Sequence, residues 1–171
     1  MQSLLSSRRL ELITAAVVVI ADQATKALVR NWLPLYENRV VWPGILDLTR
    51  VHNTGAAFGM LDRVEFPFKT LVLSLVALVA LGGVAWYAAT VPLRDRLARI
   101  GIALVLGGAV GNLIDRATAG YVLDFVDAYY NGWHFWAFNV ADSAITFGVI
   151  FMILDILGLS KRLDRNAANH Q

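Results

Sequence analysis

The chain has 171 residues, 57% of them hydrophobic and only 16% charged, with a formal net charge of +2. A soluble domain carries roughly a quarter charged residues, and the mean hydropathy here is +0.57. Soluble-enzyme, disordered and collagen-like classes are therefore excluded, and most of the outer surface must face lipid.

Cysteine is absent, which removes disulfides, thiolate metal sites and a cysteine nucleophile. Three histidines without HExxH spacing make no case for a metal, and no cofactor is expected. A net charge this small gives no reason to expect a nucleic-acid partner.

Crossing a bilayer takes about 20 apolar residues of helix. From the N-terminus, Leu12 to Ala21 is apolar and stays helix-compatible through Asp22, Lys26 and Arg30 to about Leu33. Thr70 to Val91 runs for 22 residues without a charge. Ile100 to Ile114 is shorter and reaches membrane length only with Asp115 and Arg116 included. Trp136 to Leu159 is interrupted only by Asp142 and Asp155. These segments predict one integral-membrane domain spanning 1–171, with transmembrane helices over about 10–33, 68–91, 98–116 and 136–159. Residues 164–171 read as a disordered tail.

The first segment has a rival reading. Arg8-Arg9, ten apolar residues and Val19-Ile20-Ala21 also have the form of a cleavable signal peptide. Against it, Asp22 and Lys26 stand at i,i+4 with the acid first, the favourable order for a helical ion pair.

Eight positive residues (Arg8, Arg9, Arg94, Arg96, Arg99, Lys161, Arg162 and Arg165) fall on one side of this topology. Arg39, Arg50 and Arg63 fall on the other. Both termini are thus expected in the cytoplasm and both longer loops outside. Those loops have β composition: Val40-Val41-Trp42, Ile45 to Val51, and Tyr121 to Trp136 around Asn131-Gly132, a strong hairpin signal. The fold expected is an all-α membrane protein. It is a four-transmembrane-helix bundle carrying a small extended platform built from the two extracytoplasmic loops.

An ionisable residue inside a membrane reads as functional by default. Asp22, Lys26, Asn112, Asp115, Arg116, Asn139, Asp142, Ser143 and Thr146 all map near one plane toward the outer face. Asp155 alone maps near the cytoplasmic interface. Ala103, Gly107 and Gly111 form a small-residue ladder that reads as close helix packing.

Two carboxylates at a shallow, dry site can share a proton, one activating water while the other polarises a carbonyl. Asp142 is one candidate, and its partner could be Asp22, Asp115, Asp124 or Asp127. Asp115 beside Arg116 reads as ion-paired and Asp127 as solvated. Asp124, between Leu123 and Phe125, has the more apolar setting. Ser143 with His52 or His134 is a rival nucleophile, although no GxSxG elbow is present. A transporter would spread polar residues through the full thickness, and a purely structural tetraspan would leave the intramembrane charges without a role.

Five motifs follow in order: Asp22-Gln23-x-x-Lys26; Asn53-Thr54-Gly55-Ala56-Ala57-Phe58; Gly107-Gly108-Ala109-x-Gly111-Asn112-Leu113-Ile114-Asp115-Arg116; Val122-x-Asp124-Phe125; and Phe138-Asn139-x-Ala141-Asp142-Ser143. Together they closely resemble the bacterial lipoprotein signal peptidases, signal peptidase II, over about residues 16–150. The resemblance implies a metal-independent aspartic endopeptidase of the bacterial inner membrane. It implies cleavage of prolipoproteins on the amino side of a diacylglyceryl-modified cysteine, with Asp124 and Asp142 as the catalytic dyad. By the same resemblance Asp22, Lys26, Asn53, Gly108, Asn112, Arg116, Asn139 and Ala141 shape the site or hold substrate. Its implied partners are the lipidated substrate and membrane lipid, and nothing in it requires more than a monomer. His52 and Trp136 depart from the family pattern, where an aromatic and a proline respectively are common.

Overall fold

The computed structural model describes residues 2–55, 64, 66–93 and 95–158, with side chains from residue 8 onward. Ala56 to Phe58, Arg63, Arg94, Lys161, Arg162, Arg165 and the expected tail lie outside the described residues. In chain order the elements are α1 (Gln2–Trp32), β1 (Asn38–Trp42), β2 (Leu46–Asn53), α2 (Lys69–Thr90), α3 (Arg96–Ala119), β3 (Val122–Tyr130), β4 (Trp133–His134) and α4 (Val140–Ile156).

The helices α1, α2 and α4 all pack on α3. Glycine is what allows the close approach. A side chain at Gly107 would run into the backbone of Ala15 in α1, and one at Gly108 into the carbonyl of Ala141 in α4. Gly101 and Gly148 face each other across the same α3–α4 seam. Small residues at a membrane helix interface bring backbones together where no hydrophobic effect drives association.

The extended platform is present as one antiparallel sheet in the order β1-β2-β3-β4. Asn131 (φ 49°) and Gly132 (φ 77°) make the turn from β3 to β4, as that dipeptide predicts. The central pairing joins the two outer loops directly, with Leu46 opposite Ala128, Val51 opposite Asp124 and Asn53 opposite Val122. A bulge between Leu48 and Val51 bends β2. The apolar side chains of Val29, Leu33, Leu123 and Phe125 then fasten the sheet to the end of α1.

Among the described residues three helices are long and apolar enough to cross a membrane: Arg8–Trp32 within α1, Lys69–Thr90 and Arg96–Ala119. The fourth expected span is shorter. Helix α4 has 17 residues and starts at Val140, not at about 136. Phe138 is instead paired with the sheet, its N–H donating to Val126 O at 3.0 Å while its carbonyl accepts from Val126 N at 2.8 Å. Asn139 follows in extended conformation and caps the helix. Apolar residues at a sheet edge and in a membrane helix have the same hydropathy, so composition alone set the boundary too early.

Candidate active site

The sheet and the sheet-side ends of α1, α3 and α4 converge on a group of buried polar residues. Asp22, Lys26, Asp115 and Asn139 are each 0% exposed, and Asp124 is 3% exposed. At such burial every charge and amide needs a partner.

One half of the group is ionic. Lys26 Nζ lies 2.8 Å from Asp22 Oδ2 and 3.0 Å from Asp115 Oδ2. Its third hydrogen bond goes to Asn112 Oδ1 at 3.0 Å, so the ammonium is saturated. Asp115 also accepts from Arg30 at 2.9 Å and from the N–H of Leu123 at 3.0 Å. Gln23 spans Asp22 Oδ2, Gly111 O and Asp115 Oδ1. The remaining oxygen of Asp22 accepts the N–H of Ala141, one of the orphan donors at the start of α4, at 3.0 Å.

The other half holds Asp124 and Asp142, and the polar side chains bonded to it are amides. Asp124 accepts from Asn53 Nδ2 at 2.9 Å and from Asn139 Nδ2 at 2.8 Å. Asp142 accepts from Asn112 Nδ2 at 2.8 Å and from the backbone N–H of Asn139 at 3.2 Å. That last bond, with Asn139 Oδ1 accepting from Asp142 N at 2.9 Å, forms a capping box. The helix cap and the placement of Asp142 are thus one structure, and Asn139 reaches both carboxylates.

The amides are oriented from outside the pair. Asn112 must turn its oxygen to the Lys26 ammonium, which leaves its NH2 for Asp142. Asn53 turns its oxygen to the N–H of Gly55 at 2.9 Å, which leaves its NH2 for Asp124. Arg116 donates to the carbonyl of the same glycine at 3.0 Å. Gly108, in contact with Ala141, sets the α3–α4 spacing that allows Asn112 to reach Asp142.

Electrostatically the two halves differ. Burial first, and then the nearby Asp142 charge, raise the Asp124 carboxyl to about 7 against the opposing bonds from Asn53 and Asn139 and the Lys26 cation. A carboxyl that can hold a proton at neutral pH next to a second carboxylate is equipped for acid–base chemistry.

A cavity of about 310 Å³ opens beside this pair. Its walls are apolar side chains of α2, α3 and α4, including Leu73, Val76, Ala80 and Ile145, and its polar end is Asn53, Asn112, Arg116 and Asp142. An extended apolar segment fits such a lining.

The other sequence candidates lie elsewhere. Asp127 is bound to His134 Nδ1 at 2.8 Å. It is buried where a solvated group was expected. Ser143 donates to the carbonyl of Asn139 at 3.0 Å. His52 stacks on Tyr121 with ring centroids 3.6 Å apart, and His134 stacks on Tyr129, so neither ring is committed to that serine. Burial, then Arg50 and Arg30, holds the His52 imidazole below its usual range. Gln23 and Arg30 were missed as site residues. Arg30 stands at i,i+4 from Lys26, as Lys26 does from Asp22, and that spacing was the available signal.

Comparison with known proteins gives the family. The lipoprotein signal peptidase of Syntrophus aciditrophicus is 41% identical over 150 residues, covering 88% of this chain and 93% of its own. That of Syntrophotalea carbinolica is 45% identical over 152 residues, covering 88% and 92%. A solved bacterial membrane enzyme, determined by the in meso method at 2.3 Å resolution, superposes with a TM-score of 0.74 at 31% identity, over 89% of this chain and 90% of its own. The family model described as signal peptidase (SPase) II matches residues 14–158, which take in every residue of the polar group. The chain therefore belongs to the signal peptidase II family of bacterial membrane proteins.

Proposed function

We propose that the protein removes signal peptides from prolipoproteins as an aspartic endopeptidase, with Asp124 and Asp142 as its dyad. The observation that carries this reading is the contrast inside the buried group. Asp22 and Asp115 are matched by cations, whereas among the described residues Asp124 and Asp142 accept hydrogen bonds from amides. Amide donors orient a carboxyl without fixing its charge, so this pair can hold one proton between them.

In the reaction proposed, the ionised carboxylate takes a proton from water, and the water oxygen attacks the scissile carbonyl carbon. The protonated partner, drawn on Asp124, donates to the carbonyl oxygen as negative charge develops there. When the intermediate collapses the C–N bond breaks and one carboxyl passes its proton to the leaving nitrogen. A hydroxyl of the intermediate returns its proton to the other carboxylate, which restores the dyad. The products are the carboxylate end of the signal peptide and the free amino group of the following cysteine.

The topology proposed has four spans, with α4 as the fourth and both termini cytoplasmic in the inner membrane. The site then faces outward, and a cysteine carrying diacylglycerol presents its peptide bond at that depth with its acyl chains in the bilayer. A monomer suffices, because every residue of the polar group comes from one chain. Cleavage after Ala21 is disfavoured, because α1 is continuous through Trp32 and carries Asp22 and Lys26.

The test uses full-length protein and one diacylglyceryl-modified prolipoprotein. Asp124→Asn and Asp142→Asn should each lower the cleavage rate at least ~100-fold with substrate still bound. Asp127→Asn and Ser143→Ala should cost far less. Robust cleavage by Asp124→Asn, or complete loss in folded Ser143→Ala, contradicts the dyad.

A further inference from the structure

The end of the bundle remote from the sheet holds a second, unrelated cleft. α1 and α2 both pack on α3 and scarcely touch one another, which leaves a groove between them. At its mouth is a cavity of about 350 Å³ lined by Arg8, Glu11, Leu12, Ala85, Ala88 and Arg99, among others. Arg8 opens the membrane-length part of α1, and Arg99 lies in the first turn of α3, so the cavity is at the depth of lipid headgroups.

Its charges are arranged in an incomplete way. Arg99 donates to Val91 O at 2.6 Å and to Glu11 Oε2 at 3.0 Å. That leaves Glu11 Oε1 buried with no hydrogen-bond partner. Arg8 is exposed, with no ion-pair partner among the described residues. Among the described residues the cleft thus holds a cation without an ion pair and, beside it, one carboxylate oxygen without a donor. An anion alone would satisfy Arg8 but face the Glu11 oxygen; a cation alone would do the reverse. A buried acceptor of this kind calls for a donor that carries its own charge.

We propose that this cleft binds a phospholipid whose headgroup carries both a phosphate and a primary ammonium. The phosphate lies against Arg8 and the free N–H groups of Arg99, the ammonium donates to Glu11 Oε1, and the acyl chains follow the groove between α1 and α2. Leu12, 71% exposed, is part of the cleft's own lining and gives the chains an apolar surface to follow. On the orientation proposed above, this lipid belongs to the inner leaflet.

The test is native mass spectrometry of the full-length protein with phosphatidylethanolamine, phosphatidylcholine or phosphatidylglycerol of identical acyl chains. Trimethylation in phosphatidylcholine removes every N–H donor and keeps both charges. Retention of phosphatidylethanolamine should exceed that of phosphatidylcholine about tenfold, the worth of one charge-assisted hydrogen bond. Glu11→Gln should level the two. Ala85→Leu, which fills the cleft and leaves every charge in place, should lower phosphatidylethanolamine to the phosphatidylcholine level, and soluble glycerophosphoethanolamine should displace nothing. Equal retention of the two lipids by the unaltered protein overturns the proposal, as does a preference that survives both variants. Stronger retention of phosphatidylglycerol, or displacement by the free headgroup, assigns the cleft to an anionic lipid or a soluble ligand instead, and also overturns it.

Discussion

Two pairs of buried carboxylates lie side by side in this protein and are treated in opposite ways. Asp22 and Asp115 share Lys26, and Asp115 also has Arg30. Asp124 and Asp142 are bonded by Asn53, Asn112 and Asn139. The first arrangement sets charge against charge, with one ammonium 2.8–3.0 Å from both carboxylates. The second fixes geometry and leaves protonation free. Asn112 joins them, passing the position of Lys26 to Asp142 through one amide. Burial alone therefore does not set the proposed dyad apart from its neighbours; the kind of donor around it does.

The largest effect expected from breaking the comparison comes from its ionic side. Lys26→Met leaves two buried carboxylates without their shared cation and should cost about 3–5 kcal/mol, as removing one partner of a buried ion pair does. The measurement is folded yield and thermal unfolding in detergent. Unchanged yield together with unchanged cleavage would mean that Lys26 is not the anchor of the group.

A smaller effect, with a different signature, is expected where the two halves meet. Asn139→Ala removes an amide from Asp124 and the cap from α4. The lost cap should lower stability by about 1 kcal/mol. Cleavage should fall on the order of a hundredfold through misplacement of both carboxyls. A rate loss no greater than the stability loss would reduce Asn139 to a helix cap.

The smallest expected effect lies at the rim. His52→Ala removes the stack on Tyr121 and should cost about 0.5–1.5 kcal/mol in thermal unfolding, which His52→Phe should restore. Because burial and two arginines hold the imidazole below its usual range, neither variant should alter the pH profile of cleavage near neutrality.

Much of this could be read from the chain, for local reasons. Asp22 and Lys26 are one helical turn apart in an apolar segment, the spacing at which a helix brings acid and base together. Asn131-Gly132 is among the few dipeptides that accept positive φ twice, so the hairpin was expected where it is found. Asp115 was read as ion-paired and is, though its partners are Lys26 and Arg30 and not its neighbour Arg116.

What could not be read depends on distant pairing. The β2–β3 ladder joins residues about seventy positions apart, Val51 with Asp124 among them, and no short-range pattern encodes it. That ladder draws Phe138 into the sheet, delays α4 to Val140, and so places Asp142 in the first turn of its helix. The capping spacing Asn139-x-x-Asp142 was visible in the sequence, but its meaning depended on knowing where the helix began.

The central claim is that Asp124 and Asp142 hold one proton between them near neutral pH. Infrared difference spectroscopy across a pH titration reads this directly through the stretching band of protonated carboxyl groups. The account predicts one such band below a midpoint of about 7, lost as pH rises through it and absent from Asp124→Asn. No protonated carboxyl at pH 6, or a band that persists unchanged in Asp124→Asn and Asp142→Asn, would contradict it.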